Sequence, residues 1–290
     1  MKSLWIATLA VCWASAQTET RGIVPEEVLL ARPKAAASSA QANVVMAKYQ
    51  PAGVPGQMPR AAGGKQVGVT FWRLRPATST DNGARLLVQQ DSNAAAWIPE
   101  RISSSTTLRA GDRVRLTLES PEAGYLYVID RERYADGERG APYLIFPTSR
   151  TRSGDNRVTA GKLIDIPGQE DQPNFFTMTR SRADQVEEEV TVLLSPSPLE
   201  GVEVGPKALA LSGEQVTNWE KQWGRKVQVF ELAGGAGKAW TAAEQEAASG
   251  ATRLLTQEDP PPQTVYRVEA AKNDPVRVKL RLRYAPKARQ

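Results

Sequence analysis

The chain predicts a mostly β protein: an antiparallel β-sandwich, immunoglobulin-like in style, with two short helices in a C-terminal extension and a disordered N-terminal arm. Three observations carry this. Short segments either alternate apolar and polar side chains, as at residues 114–119 and 276–284, or are apolar on both faces, as at 125–129. Gly and Pro punctuate those segments at short spacing, and good amphipathic helices are found only after Pro198. Many short strands with few helices belong to a sandwich or barrel and not to an α/β fold.

Residues 1–16 read as a signal peptide. Lys2 supplies a positive start, residues 4–13 are an apolar run too short to span a bilayer, and Ala14-Ser15-Ala16 is the small-x-small pattern of signal peptidase, which places cleavage before Gln17. Lipidation at Cys12 is the alternative, and the bulk of Val11 just before it argues against that. No later segment is apolar enough for a transmembrane span. Residues 17–65 are rich in Ala, Gly, Pro, Gln and Ser and read as a flexible low-complexity arm, with one helix-prone island at 23–32.

Residues 66–200 are expected to form the sandwich core. Val67, Val69 and Phe71 alternate, then Trp72 and Leu74 continue out of phase, which predicts a β-bulge near Phe71-Trp72. Residues 84–90 and the piece around Trp97 read as an irregular excursion with at most one short strand. Val114, Leu116 and Leu118 give a half-buried strand, and Ser120-Pro121-Glu122-Ala123-Gly124 a tight turn. Residues 125–129 then form a central strand covered from two sides. A charged loop follows at 130–141 with Asp136-Gly137 at its tip, and 143–146 return as the third strand of a β-meander. Further strands are expected at 162–166, 175–179 and 190–194, the last two joined by a charged connection, SRADQVEEE.

Residues 201–290 form the helix-bearing extension, whose last strand packs on the core. Ser212 caps a helix with Val216, Trp219 and Trp223 on one face. A strand follows at 227–232, and Thr241 with Glu244 makes a capping box for a second helix. Val276, Val278, Leu280, Leu282 and Tyr284 alternate with Arg277, Lys279, Arg281 and Arg283 in the cleanest half-buried strand of the chain.

The composition excludes several chemistries. There is no histidine, and Cys12 is the only cysteine. Ser-His-Asp and Cys-His triads, Cys/His zinc sites and imidazole catalysis are therefore ruled out. Without histidine, few ordinary side chains titrate between about pH 6 and 8, so stability is expected to be nearly flat there. The net charge of +5, which becomes +4 when Lys2 leaves with the leader, is too mild for a dedicated nucleic-acid binder. Gly234 to Lys238, GGAGK, is no phosphate loop: Leu232 stands where the first Gly is needed and Ala239 where Ser or Thr is needed. No cofactor is implied.

Two groups of residues remain as candidates. Asp130, Glu132 and Asp136 cluster as calcium ligands do, but Arg131, Arg133 and Arg139 interleave and neutralise them, so a solvated tip is expected and no metal site is assigned. The row Arg277, Lys279, Arg281 and Arg283 points one way over ~20 Å and, extended by Lys287 and Arg289, suits an acidic partner, although charged edge strands also serve to block aggregation.

The central stretch resembles the bacterial family known as domain of unknown function 4384. The matching residues are Gly124-Tyr125-Leu126-Tyr127-Val128-Ile129-Asp130, Leu144-Ile145-Phe146-Pro147, Asn156, Gly161, Ile166-Pro167 and Val190-Thr191-Val192-Leu193-Leu194-Ser195, over about residues 108–199. The resemblance implies a β-sandwich accessory domain of exported or membrane-linked bacterial proteins and carries no catalytic residue. Sequence and resemblance together point to an exported, non-catalytic interaction module of the cell envelope, in the periplasm, at the outer membrane or outside the cell. Its expected partner is an envelope protein or acidic polymer. A carbohydrate-binding module and a carboxylate-dependent hydrolase are the alternatives.

Overall fold

The computed structural model describes residues 20–23, 32, 64–90, 93–249 and 254–286. The leader, most of the arm with residues 24–31 of its helix-prone island, and Lys287 and Arg289 lie outside them.

Sixteen strands, β1 to β16, and two helices are described. One sheet runs through β1 (Thr20–Ile23), β14 (Val227–Leu232), β15 (Thr264–Val268), β2 (Lys65–Pro76), β4 (Asn93–Ile102) and β3 (Leu86–Gln90). Along one edge β2 pairs first with β15 and then with β4. Along the other it pairs with β6 (Arg113–Glu119), which also holds β10 (Leu163–Ile166) and β11 (Phe176–Thr177). The second sheet has the order β13 (Leu209–Ala210), β8 (Tyr143–Phe146), β7 (Gly124–Tyr134), β12 (Gln185–Ser195), β16 (Val276–Tyr284) and β5 (Thr107–Leu108), with β9 (Arg157–Val158) on β7. The pairs β1–β14 and β5–β16 are parallel, and the remaining ones are antiparallel.

The main core lies between the sheets. Val67, Val69, Leu116 and Leu118 come from one, and Val128, Val192, Val278 and Leu280 from the other. Each such side chain stabilises the fold by roughly 1.5–3 kcal/mol on burial. Each sheet also has a covered outer face. Helix α1 (Gly213–Gln222) brings Val216, Trp219 and Trp223 against Tyr127, Ile129 and Leu193 of the second sheet. On the first sheet, Trp240, which is 1 % exposed, and Ala248 of helix α2 (Ala242–Ala248) pack on Trp72, Leu74 and Leu86. Both predicted caps are present: the Ser212 hydroxyl accepts from Gln215, and Thr241 with Glu244 forms the reciprocal box.

These outer clusters correct the bulge expected at Phe71-Trp72. The register of β2 runs unbroken through Phe71 and Trp72 against both β4 and β6. The phase changes because the first half of β2 is buried on its inner face, whereas Trp72 and Leu74 are buried on the other face, beneath α2. Residues 86–90 and 93–102 are likewise two paired strands, β3 and β4, in place of an irregular excursion. The expected meander is also split. Residues 120–123 carry the chain from β6 in one sheet to β7 in the other, and only β7 and β8 pair as neighbours.

Strand β7 extends to Tyr134, so the charged loop is shorter than its composition suggested. Gly137 adopts a positive φ of 88° at its tip, a conformation that disfavours side chains with a Cβ. The charged connection expected at 181–189 is half strand, since β12 begins at Gln185.

Candidate functional site

Side chains alternate across a strand, so the three glutamates at 187–189 of β12 cannot share a face. Cross-strand register fixes their neighbours. Glu187 stands between Arg133 of β7 and Arg283 of β16, and Glu189 between Arg131 and Arg281. All of these belong to the outer face of the second sheet, where an acidic row on β12 is flanked by basic rows on both sides.

The four cations predicted as a site are brought onto this face together. Lys279 Nζ donates to Glu189 Oε1 at 2.8 Å and lies 2.5 Å from Glu220 of α1, joining helix to sheet. Arg139 and Arg133 approach the second Glu189 oxygen at 3.5 and 3.8 Å. Glu187 is 3.2 Å from Arg133 and 3.7 Å from Arg281. Glu189 is only 2 % exposed, and burial alone would raise its pKa. The hydrogen bond and charge of Lys279, with Arg139 and Arg133, outweigh burial and hold it below the usual glutamate range. Arg281 and Arg283 are exposed, and Arg283 makes no ion pair among the described residues.

Glu188 turns inward. It is in phase with Val190 and Val192 and stands opposite Glu132 on β7 and Leu282 on β16, with Asp130 one step further along β7. These three carboxylates line a cavity of about 200 Å³ at one end of the inter-sheet core, whose apolar wall includes Phe71, Val114, Leu116, Phe176 and Leu282. Thr177 and Thr179 are exposed beside the half-buried Glu132, which puts the mouth there.

Glu188 Oε1 accepts from Gln185 Nε2 at 2.7 Å and meets the Tyr284 hydroxyl at 2.8 Å. The same hydroxyl lies 2.6 Å from the carbonyl oxygen of Thr179. One hydroxyl proton cannot serve two acceptors at once. A protonated Glu188 resolves this, because its own O–H then donates to Tyr284, which donates to Thr179. Glu188 Oε2 and Asp130 Oδ1 are buried with no hydrogen-bond partner among the described residues. Burial, with the charge of Asp130 added, pushes Glu188 up to about 8. Burial, with the charge of Glu132 added, pushes Asp130 up to about 7. The Tyr134 hydroxyl donates to Glu132.

The calcium candidates are not assembled into a metal site. Asp130 and Glu132 face the cavity, whereas Asp136 is at the exposed tip, 3.1 Å from Arg182, which also binds Glu138 and Asp184. No group of three His, Cys, Asp or Glu is arranged to hold a metal ion among the described residues. Glu188 was missed because a run of acids reads as a solvated connection. Its phase with Val190 and Val192 was the signal that placed it inside.

A second buried polar group sits on the outer face of the first sheet, and its central pair is satisfied by geometry. Arg115 and Asp165, each 1 % exposed, pair at 2.9 Å, and Thr117 donates to the other Asp165 oxygen. Arg101 pairs with Glu244, so the capping residue of α2 also anchors that helix to the sheet.

No curated protein and no solved structure matches the chain. In the matched region the Phe146–Pro147 and Ile166–Pro167 bonds are both cis. Residues 107–198 match the family model described as Domain of unknown function (DUF4384), a span from β5 to beyond β12 that contains Asp130, Glu132 and Glu188 but neither Tyr284 nor the basic row of β16.

Proposed function

We propose that the chain is an exported, non-catalytic accessory module of a bacterial cell envelope, and that the basic row of β16 contacts an acidic envelope partner. The observation that supports this reading is an excess of cations on the outer face of the second sheet. Glu187 and Glu189 are almost fully buried between their neighbours, so the tips presented to solvent are those of Arg281 and Arg283. Attraction of this kind is screened beyond ~8–10 Å at physiological salt, so it positions the protein on a surface without selecting one ligand. No described helix is long and apolar enough to cross a membrane.

The hydrolase reading has one observation in its favour, the raised carboxylates of the cavity. That cavity, at about 200 Å³, falls short of the ~300–1,000 Å³ usual for ligand pockets, which leaves little room for a sugar and its attacking water. A carbohydrate module would need an exposed row of aromatics. Trp219 and Trp223 instead stack on each other at 5.6 Å and pack half-buried on the sheet.

The test is retention of envelope fractions by the wild type and by an Arg281→Gln/Arg283→Gln variant, at low and at physiological salt. The double variant is expected to fold and to lose most of the salt-sensitive retention. Equal retention by both proteins would overturn the proposal.

A further inference from the structure

We infer that the cavity at the end of the sandwich is a binding site for a small primary ammonium compound with an apolar body, of the size of an aryl- or alkylamine. Three features of the cavity carry this.

The first is the pair of unpartnered oxygens. Glu188 is 8 % exposed, lines the cavity, and leaves Oε2 without a donor, and Asp130 Oδ1 is in the same condition. A buried acceptor with no donor costs free energy, and native proteins fill such gaps with a donor or a bound molecule. An ammonium group brings three donors and a positive charge on one atom.

The second is the sign of the surroundings. The titratable groups facing the cavity are Asp130 and Glu132 from β7 and Glu188 from β12. Tyr284 of β16 adds its hydroxyl, and Tyr134 stands behind Glu132. Strands β6 and β11 contribute Val114, Leu116 and Phe176, which are apolar. Arg115 also borders the space, but its guanidinium is held by Asp165 and the carbonyl of Asn174 on the other side of the sheet. Arg180 does not line the cavity; it stacks on the Tyr284 ring at 4.7 Å and donates to the carbonyl of Ala285. The acids therefore face one another with no cation between them among the described residues.

The third is size and shape. About 200 Å³ exceeds the ~150 Å³ of an engineered apolar cavity that accepts benzene. The apolar wall suits a ring or short alkyl stem, while the carboxylates lie to one side of it.

Protons take part in the exchange. At neutral pH the Asp130–Glu188 pair holds protons in place of a counter-ion. An entering ammonium pairs with the carboxylate form, so each binding event releases a proton to solvent, and affinity rises with pH between about 6 and 8.

Benzylamine and its neutral analogue benzyl alcohol, titrated into the full chain, separate the possibilities. Benzylamine near ten times its dissociation constant is expected to raise Tm by roughly 3 °C, more at pH 8 than at pH 6, with benzyl alcohol giving no rise. Calorimetry in two buffers of different ionisation enthalpy should show proton release. Glu188→Gln, which keeps the shape of the side chain, and separately Asp130→Asn, should each lower affinity at least tenfold, while Lys207→Gln, exposed and away from the cavity lining, leaves it unchanged. Equal effects of amine and alcohol would reduce the cavity to an apolar void. Amine binding retained in both the Glu188→Gln and the Asp130→Asn variants, or no binding by the wild type, would also overturn the proposal.

Discussion

Three consecutive glutamates of β12 meet opposite surroundings. Glu187 and Glu189 look outward into two basic rows, which hold Glu189 as a carboxylate, whereas Glu188 looks inward at Asp130 and Glu132 and is pushed toward its neutral form. All three are almost fully buried. Burial therefore does not set the charge of a carboxylate here; the neighbouring strands at that register do. One face of the sheet is an electrostatic lattice whose members compensate each other, and the other is a pocket whose members do not.

That contrast is open to direct attack, beginning with the lattice. Glu189→Ala removes the anion shared by Lys279, Arg139 and Arg133. We expect a loss of about 2–3 kcal/mol in denaturant unfolding, below the ~3–5 kcal/mol for breaking a fully buried pair, because Lys279 keeps Glu220. An unchanged midpoint would mean that the lattice contributes nothing.

Next is the pH response of the pocket. In the folded state Asp130 and Glu188 titrate near 7 and 8, well above the ~4 of an unfolded chain. The folded protein thus binds more protons than the unfolded one over that interval. The contribution of these two groups to stability is fullest below about pH 4, falls as pH rises through 7 and 8, and levels off above. The flat window between pH 6 and 8 expected from the lack of histidine is replaced by a slope. Glu188→Gln should reduce that slope and stabilise the protein at pH 8 by on the order of 2 kcal/mol, with a much smaller gain at pH 5. Thermal melts across pH that superimpose for the two proteins would break the contrast.

The smallest effect belongs to the rim. Arg283→Gln should change stability by no more than about 0.5 kcal/mol, since its side chain is exposed and outside the lattice. A larger loss would show that the basic row is structural, which would weaken its reading as a contact surface.

Local signals in the sequence were read correctly where one segment contains its own answer. The alternation of β16 and the capping box of α2 are complete within nine and four residues respectively, and both are present. Errors arose where the answer lies in distant segments. The first half of β12, residues 185–189, reads as a charged connection because its compensating cations are on β7 and β16. Likewise β2 looked bulged because the side chains that cover Trp72 come from around α2. The basic row was visible from its spacing alone. The cavity was not, since Asp130, Glu188 and Tyr284 meet only through pairing across three strands.

The pairing of β12 with β16 has a temporal consequence. Lys279 and Glu189 are partners across 90 positions, and the strand that carries Lys279 also supplies the last wall of the inter-sheet core. A chain emerging from its N-terminal end presents β7 and β12 well before β16 exists. For that interval Val190 and Val192 have no strand beside them on one edge. Non-local pairing of this kind slows assembly and lengthens the time a bare edge is open to other chains. The outward charges of β12 would then act first as a guard against mispairing and only later as half of a lattice.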